Sequence, residues 1–212
     1  MGRNKSKSFP PFIYGTAWKE ESTADLVKRA ISAGFSGIDT ANQPRHYQEH
    51  LVGEALKELA GEGIARETLF LQTKFTPANG QDQRIPYDPS ADLTTQVKQS
   101  FARSLKNLQT DYVDCYLLHG PYSQPSLGEE DWEVWSAMEG LYQSGKAKSI
   151  GISNVNSEQL KLLTEKAEIK PMVVQNRCFA ALGWDRKVRN FCNANHIIYE
   201  GFSLLTANPF IM

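Results

Sequence analysis

Seven times along this chain a short apolar run of β character is set against a stretch with helical spacing. That alternation narrows the fold more than any other feature. The β runs are FIYGTAW (12–18), FSGID ending at Asp39, TLFLQTKF (68–75), YVDCYLLHG (112–120), AKSIGIS (147–153), PMVVQNR (171–177) and HIIYEGFS (196–203). Between them, residues 22–33, 48–60, 92–108, 131–145, 156–167 and 185–194 carry apolar side chains at helical spacing. In 92–108 the stripe is Leu93, Val97, Phe101, Leu105 and Leu108, and Gly145 is placed to close the helix at 131–145 as a left-handed residue. Strands joined by helices run parallel, because each crossover returns the chain to the same edge. The alternation predicts an α/β fold of the (β/α)8 TIM-barrel type, with about seven units present and the last strand and helix lacking. No Gly-x-Gly-x-x-Gly follows the first strand, which weighs against a doubly wound dinucleotide-binding sheet. Residues 76–91, TPANGQDQRIPYDPSA, form a long loop after the third strand, where a barrel shapes its active face.

Polar residues fall at the C-terminal ends of these strands. Asp39 ends the second, Lys74 is next to last in the third, and His119 ends the fourth. Ser153 and Asn154 end the fifth, Gln175 and Asn176 lie near the end of the sixth, and Ser203 ends the seventh. A lysine inside LFLQTKF is the most informative, since a buried ammonium needs an acidic partner and Asp39 on the neighbouring strand is the candidate. Each residue taken alone has a plainer use. Asp39 could cap a loop, Tyr47 could flank a helix at the surface, and Asn154 could be the N-cap of the helix at 156–167. Cys115 reads as a core residue, and Trp132 and Trp135 as helix packing. The plain readings weaken because the sites converge on one end of one barrel.

The remaining features bound the setting. With 23 basic and 24 acidic residues the net charge is −1, so no field for nucleic acid is implied. Three cysteines without a CxxC pair argue for a reducing compartment, and a cytoplasmic location is expected, with no metal site. No apolar run is long enough to span a membrane. MGRNKS fits a myristoylation pattern formally, but reads as part of a flexible leader over 1–11, ahead of a single domain over 12–212.

Five segments in order, GIDTA…Y…VGEAL, LQTK, YVDCYLLHGP, GISN and VVQNR, resemble the aldo-keto reductase superfamily from about Phe12 to Ser203. The resemblance implies reduction of an aldehyde or ketone with NADPH, and maps a tetrad onto Asp39, Tyr47, Lys74 and His119. Tyr47 would donate the proton, Lys74 and Asp39 would tune it, and His119 would orient the carbonyl. A free phenol has a pKa of about 10, and a nearby ammonium is expected to lower it. The resemblance also implies Ser153, Asn154 and Gln175 at a nicotinamide carboxamide, Phe202 stacked on its ring, and Ser203 at pyrophosphate. Trp18, Tyr87 and Tyr122 are expected as pocket walls for a small-molecule carbonyl substrate.

Two departures stand out. NQPRH intervenes before Tyr47, so either the loop folds Tyr47 back over the mouth, or His46 supplies the acid, or Tyr47 is misplaced. The chain also ends before the segment that would carry the adenosine 2′-phosphate site and close the sheet, which puts NADPH binding in question. Open first and seventh strands invite pairing in a homo-oligomer. The alternatives are a cofactor-independent acid–base enzyme performing dehydration, isomerisation or cyclisation, and a non-catalytic binding protein.

Overall fold

A computed structural model of the chain describes residues 9–204. Seven strands form one parallel sheet in sequence order: β1 (Ile13–Gly15), β2 (Gly37–Asp39), β3 (Phe70–Phe75), β4 (Cys115–Leu118), β5 (Ile150–Ser153), β6 (Val173–Arg177) and β7 (Ile198–Phe202). Six helices make the crossovers: α1 (Thr23–Ser32), α2 (Glu49–Gly61), α3 (Leu93–Leu108), α4 (Glu129–Gln143), α5 (Ser157–Lys166) and α6 (Arg186–Ala194). The sheet is curled into an incomplete (β/α)8 barrel. The amide of Gln72 on β3 reaches across its hollow side to Glu200 on β7, 2.7 Å away.

Alternation along each strand sends side chains to two different cores. Ile38, Leu71, Phe75, Tyr116, Leu118, Ile152 and Val174 face outward and pack with the helices. Phe70, Cys115, Leu117 and Val173 form a smaller cluster, with Ile13 and Ile198 packed against it. Phe9 joins that second cluster, its ring 4.7 Å from Phe70. MGRNKS lies outside the described residues. The strands are shorter than their apolar runs, and Gly145 takes its left-handed turn at φ +73°. Trp135 is core, its indole donating to the Ile169 carbonyl.

Two motif residues are architectural. Gly53, in VGEAL, lets α2 lie directly on α3, because a Cβ there would fall on the Asn107 carbonyl. Asp114, in YVDCYLLHG, accepts from Arg66 Nη2 at 2.8 Å and from the Leu71 amide at 2.9 Å, tying β4 to the start of β3. Cys115, Cys178 and Cys192 are buried and unpaired. Among the described residues no helix is long and apolar enough to cross a membrane.

Candidate active site

β2 and β3 lie side by side with Asp39 opposite Gln72, which puts Lys74 one inward-facing position further up. Lys74 Nζ donates to Asp39 Oδ1 at 2.6 Å, to Asp39 Oδ2 at 2.7 Å and to the Thr40 carbonyl at 2.9 Å. All three ammonium hydrogens are thereby used, at a side chain 1% exposed. Burial works against the charged amine. The negative potential of Asp39, Tyr47 and Glu200 outweighs it, and the Lys74 pKa is raised.

The loop carrying NQPRH does fold back. Asn42 Nδ2 donates to the Ser100 carbonyl at 2.8 Å and Gln43 Nε2 to the Gly80 carbonyl at 2.6 Å, tying this loop to α3 and to the 76–91 loop. The amides of His46 and Tyr47 both donate to the Gln43 carbonyl, a turn that aims the tyrosine inward. Tyr47 comes to rest with its ring centroid 5.4 Å from Lys74 Nζ and 6.1 Å from the His119 ring. His46 instead lies against Trp18, ring centroids 3.8 Å apart. The net direction of the Tyr47 pKa is upward, against the sequence expectation: burial of the phenol, with a smaller contribution from Asp39, outweighs the lowering by Lys74.

His119 is held neutral. Burial, then the positive potential of Lys74 and His46, pushes its pKa down to about 3. Its Nδ1 lies 2.7 Å from Thr76 Oγ1, a partner that no sequence pattern singles out. If the threonine hydroxyl donates to Nδ1, the ring proton sits on Nε2.

The β5–β7 end is less uniform. Ser153 Oγ donates to the Gln175 carbonyl at 2.6 Å, and Asn154 Nδ2 donates to the His119 carbonyl at 2.8 Å. Asn154 is not the cap of α5; Asn156 is, accepting from the amides of Glu158 and Gln159. The Gln175 amide is turned into the barrel, donating to Glu200 at 2.9 Å. Phe202 is half-buried beneath the Arg177 guanidinium, 5.1 Å from the ring centroid, and Arg177 Nη1 donates to Ser203 Oγ at 3.1 Å. Trp18, Asn154 and Ser203 hold φ of +60°, +54° and +63°, a backbone region rare outside glycine that clusters at functional sites.

The three residues expected as pocket walls are placed differently from one another. Tyr87 is buried in the outer core against Phe75, its hydroxyl donating to the Thr76 carbonyl at 2.8 Å. It fastens the 76–91 loop instead of lining a cavity. Tyr122 is half-buried against the same core with its hydroxyl buried, and Trp18 is exposed.

A curled parallel sheet with its polar groups gathered at the C-terminal strand ends places the molecule in the β/α barrel class. Residues 11–209 match the Aldo/keto reductase family, and the chain belongs to it. It is 36% identical over 182 residues to glyoxal reductase of Bacillus subtilis (strain 168), which covers 85% of this chain and 57% of that relative. It is 34% identical to the NADPH-dependent alpha-keto amide reductase of Saccharomyces cerevisiae, covering 90% of this chain and 60% of that protein. Among solved structures, an aldo-keto reductase of the silkworm Bombyx mori superposes with a TM-score of 0.77 at 28% identity, over 94% of this chain and 61% of the other. The chain thus spans about three fifths of the length of these proteins.

Proposed function

We propose that this chain carries the proton-donating half of an NADPH-dependent carbonyl reductase. The observation that supports it best is the gathering of Tyr47, Lys74, Asp39 and His119 at one strand-end cluster, with the lysine bonded to both oxygens of the aspartate. Tyr47 is the acid. Its raised pKa keeps the phenol protonated at neutral pH, as a donor must be. As the proton moves to the carbonyl oxygen, negative charge grows on the phenol oxygen beside Lys74, whose charge Asp39 maintains. His119, neutral and tethered by Thr76, directs the carbonyl oxygen toward Tyr47.

The β5–β7 end suits a phosphate-bearing nicotinamide cofactor. Arg177 brings a guanidinium and Ser203 a hydroxyl, Phe202 offers a half-exposed ring, and Asn154 an exposed amide. When bound, the cofactor supplies the hydride. A structure of an aldo-keto reductase complexed with NADPH superposes on this chain with a TM-score of 0.74 at 27% identity, which agrees with that choice.

The test is a titration with NADPH, and with NADH alongside, read by quenching of tryptophan fluorescence and followed by assays on aldehydes and ketones. Saturable quenching is expected, and turnover that falls by about a hundredfold or more in Tyr47→Phe. No binding at millimolar cofactor would overturn the reading for this chain and favour redox-neutral acid–base chemistry.

A further inference from the structure

Inside the barrel, below the cluster just described, lies a second carboxyl group. Glu200 projects from β7 into the hollow of the sheet and is met by two amides. Gln72 Nε2 donates to Glu200 Oε2 at 2.7 Å and Gln175 Nε2 donates to the same oxygen at 2.9 Å. The other hydrogen of the Gln72 amide goes to Asp39 Oδ1 at 2.8 Å. One amide group therefore holds two carboxyl groups, and one of these is the partner of Lys74. Two buried acceptors of this network have no donor among the described residues, Gln72 Oε1 and Glu200 Oε1. A proton on Glu200 Oε1 would turn one of these two acceptors into a donor.

The balance around Glu200 points the same way. Burial and Asp39 on β2 oppose its anion, and they outweigh the amides of Gln72 and Gln175 and the ammonium of Lys74, which favour it; Lys74 is itself bonded to Asp39. The Cys115 thiol on β4 is pushed well up by burial and stays neutral. With Lys74 and Asp39 charged, a neutral Glu200 leaves the group balanced, and an ionised one leaves it a full negative charge in excess, with Glu200 Oε1 shielded from solvent.

We propose that Glu200 is held as a neutral carboxylic acid and acts as a positioning residue, fixing Asp39 against Lys74 through the shared Gln72 amide, so that its ionisation weakens the support Lys74 gives to Tyr47. The inference rests on the reductase reading for its consequence in turnover, but not for the proton itself. Burial, with Asp39 next, raises the Glu200 pKa to about 7, so the switch falls in the physiological range.

Two measurements on the intact chain test this. The first is carbon NMR of protein carrying carboxyl-labelled glutamate, with Glu200 assigned by the signal missing from Glu200→Gln. Titration near neutrality is expected; titration with the ordinary carboxylates, near about 4.3, overturns the proposal. The second is carbon NMR of ring-labelled tyrosine, with Tyr47 assigned through Tyr47→Phe. Where Tyr47 ionises, position 200 is an anion in the native chain and uncharged in E200Q, so Tyr47 should ionise on the order of tenfold more readily in E200Q. An unchanged Tyr47 titration overturns the coupling. In turnover, the native rate of carbonyl reduction should fall as pH rises through neutrality, and E200Q should lose that limb while keeping the rate of the acid side. If no carbonyl is reduced, the reductase reading falls, and the two NMR titrations still decide whether Glu200 is neutral and coupled to Tyr47.

Discussion

Lys74 Nζ lies 2.6 Å and 2.7 Å from the two carboxylate oxygens of Asp39, a two-pronged ion pair between neighbouring parallel strands in the wall of the barrel. The pair does two jobs. It neutralises a cation that the fold has taken out of water, and it keeps that cation in reach of Tyr47.

Breaking the pair from one side leaves a buried charge alone. Asp39→Asn should cost about 3–5 kcal/mol of unfolding free energy, measured by urea denaturation at neutral pH. The double variant Asp39→Asn, Lys74→Met should recover part of that loss, because it removes the stranded ammonium. A double variant no more stable than Asp39→Asn would show that packing, not charge, sets the cost.

Tyr47→Phe removes only a hydroxyl for which no hydrogen bond within the described residues is seen. Stability should change by less than about 0.5 kcal/mol. Carbonyl reduction should fall by about a hundredfold to ten-thousandfold, the range for loss of a positioned general acid. Steady-state turnover and a denaturation curve on the same sample separate the two effects.

Thr76→Val keeps the size of the side chain and deletes the hydroxyl next to His119 Nδ1. A drop in turnover of about tenfold is expected, with Thr76→Ser close to native. Nitrogen NMR of the His119 ring should show the proton on Nε2 in the native chain and a mixture of tautomers in Thr76→Val. A native ring protonated on Nδ1 would count against the assigned role.

Glu49 predicts a particular dependence of stability on pH. Its carboxyl is buried at the start of α2, with Thr73 Oγ1 donating at 2.5 Å and Asn107 Nδ2 at 3.3 Å, and burial raises its pKa. A raised acid binds its proton more tightly folded than unfolded. Its stabilising contribution is therefore complete below the unfolded value near 4.5 and is lost as pH rises through the folded one. Glu49→Gln, neutral at every pH, should flatten that part of the profile. Denaturation midpoints across pH 4 to 8 check it, and a Gln variant with the native slope would refute it.

Much of the scaffold was legible because its signals are local. Alternating apolar runs and helical stripes mark where strands and helices lie, and a lysine in a buried strand announces its own need for Asp39. The contacts that complete the site are not local. Gln72 and Glu200 are 128 positions apart and meet only because the sheet curls. Thr76 and Arg177 sit among ordinary loop and strand-end residues, and nothing in their neighbours says that one faces His119 and the other Ser203. Tyr87 misleads for the same reason, since an aromatic in a loop reads as a pocket wall until the loop is folded onto Phe75.

The pKa of Tyr47 shows the division most clearly. Residue types alone supply a phenol and an ammonium, and with them the expectation of a lowered pKa. The direction was decided by burial, a property of the packed chain, which outweighs the lysine. Periodicity and residue chemistry determined by themselves that this chain would form a parallel β/α barrel with charged groups at its strand ends. Which of those groups touch, which stay protonated and which merely hold a loop in place came from tertiary structure, because hydrogen bonds and desolvation depend on distances that no sequence spacing encodes.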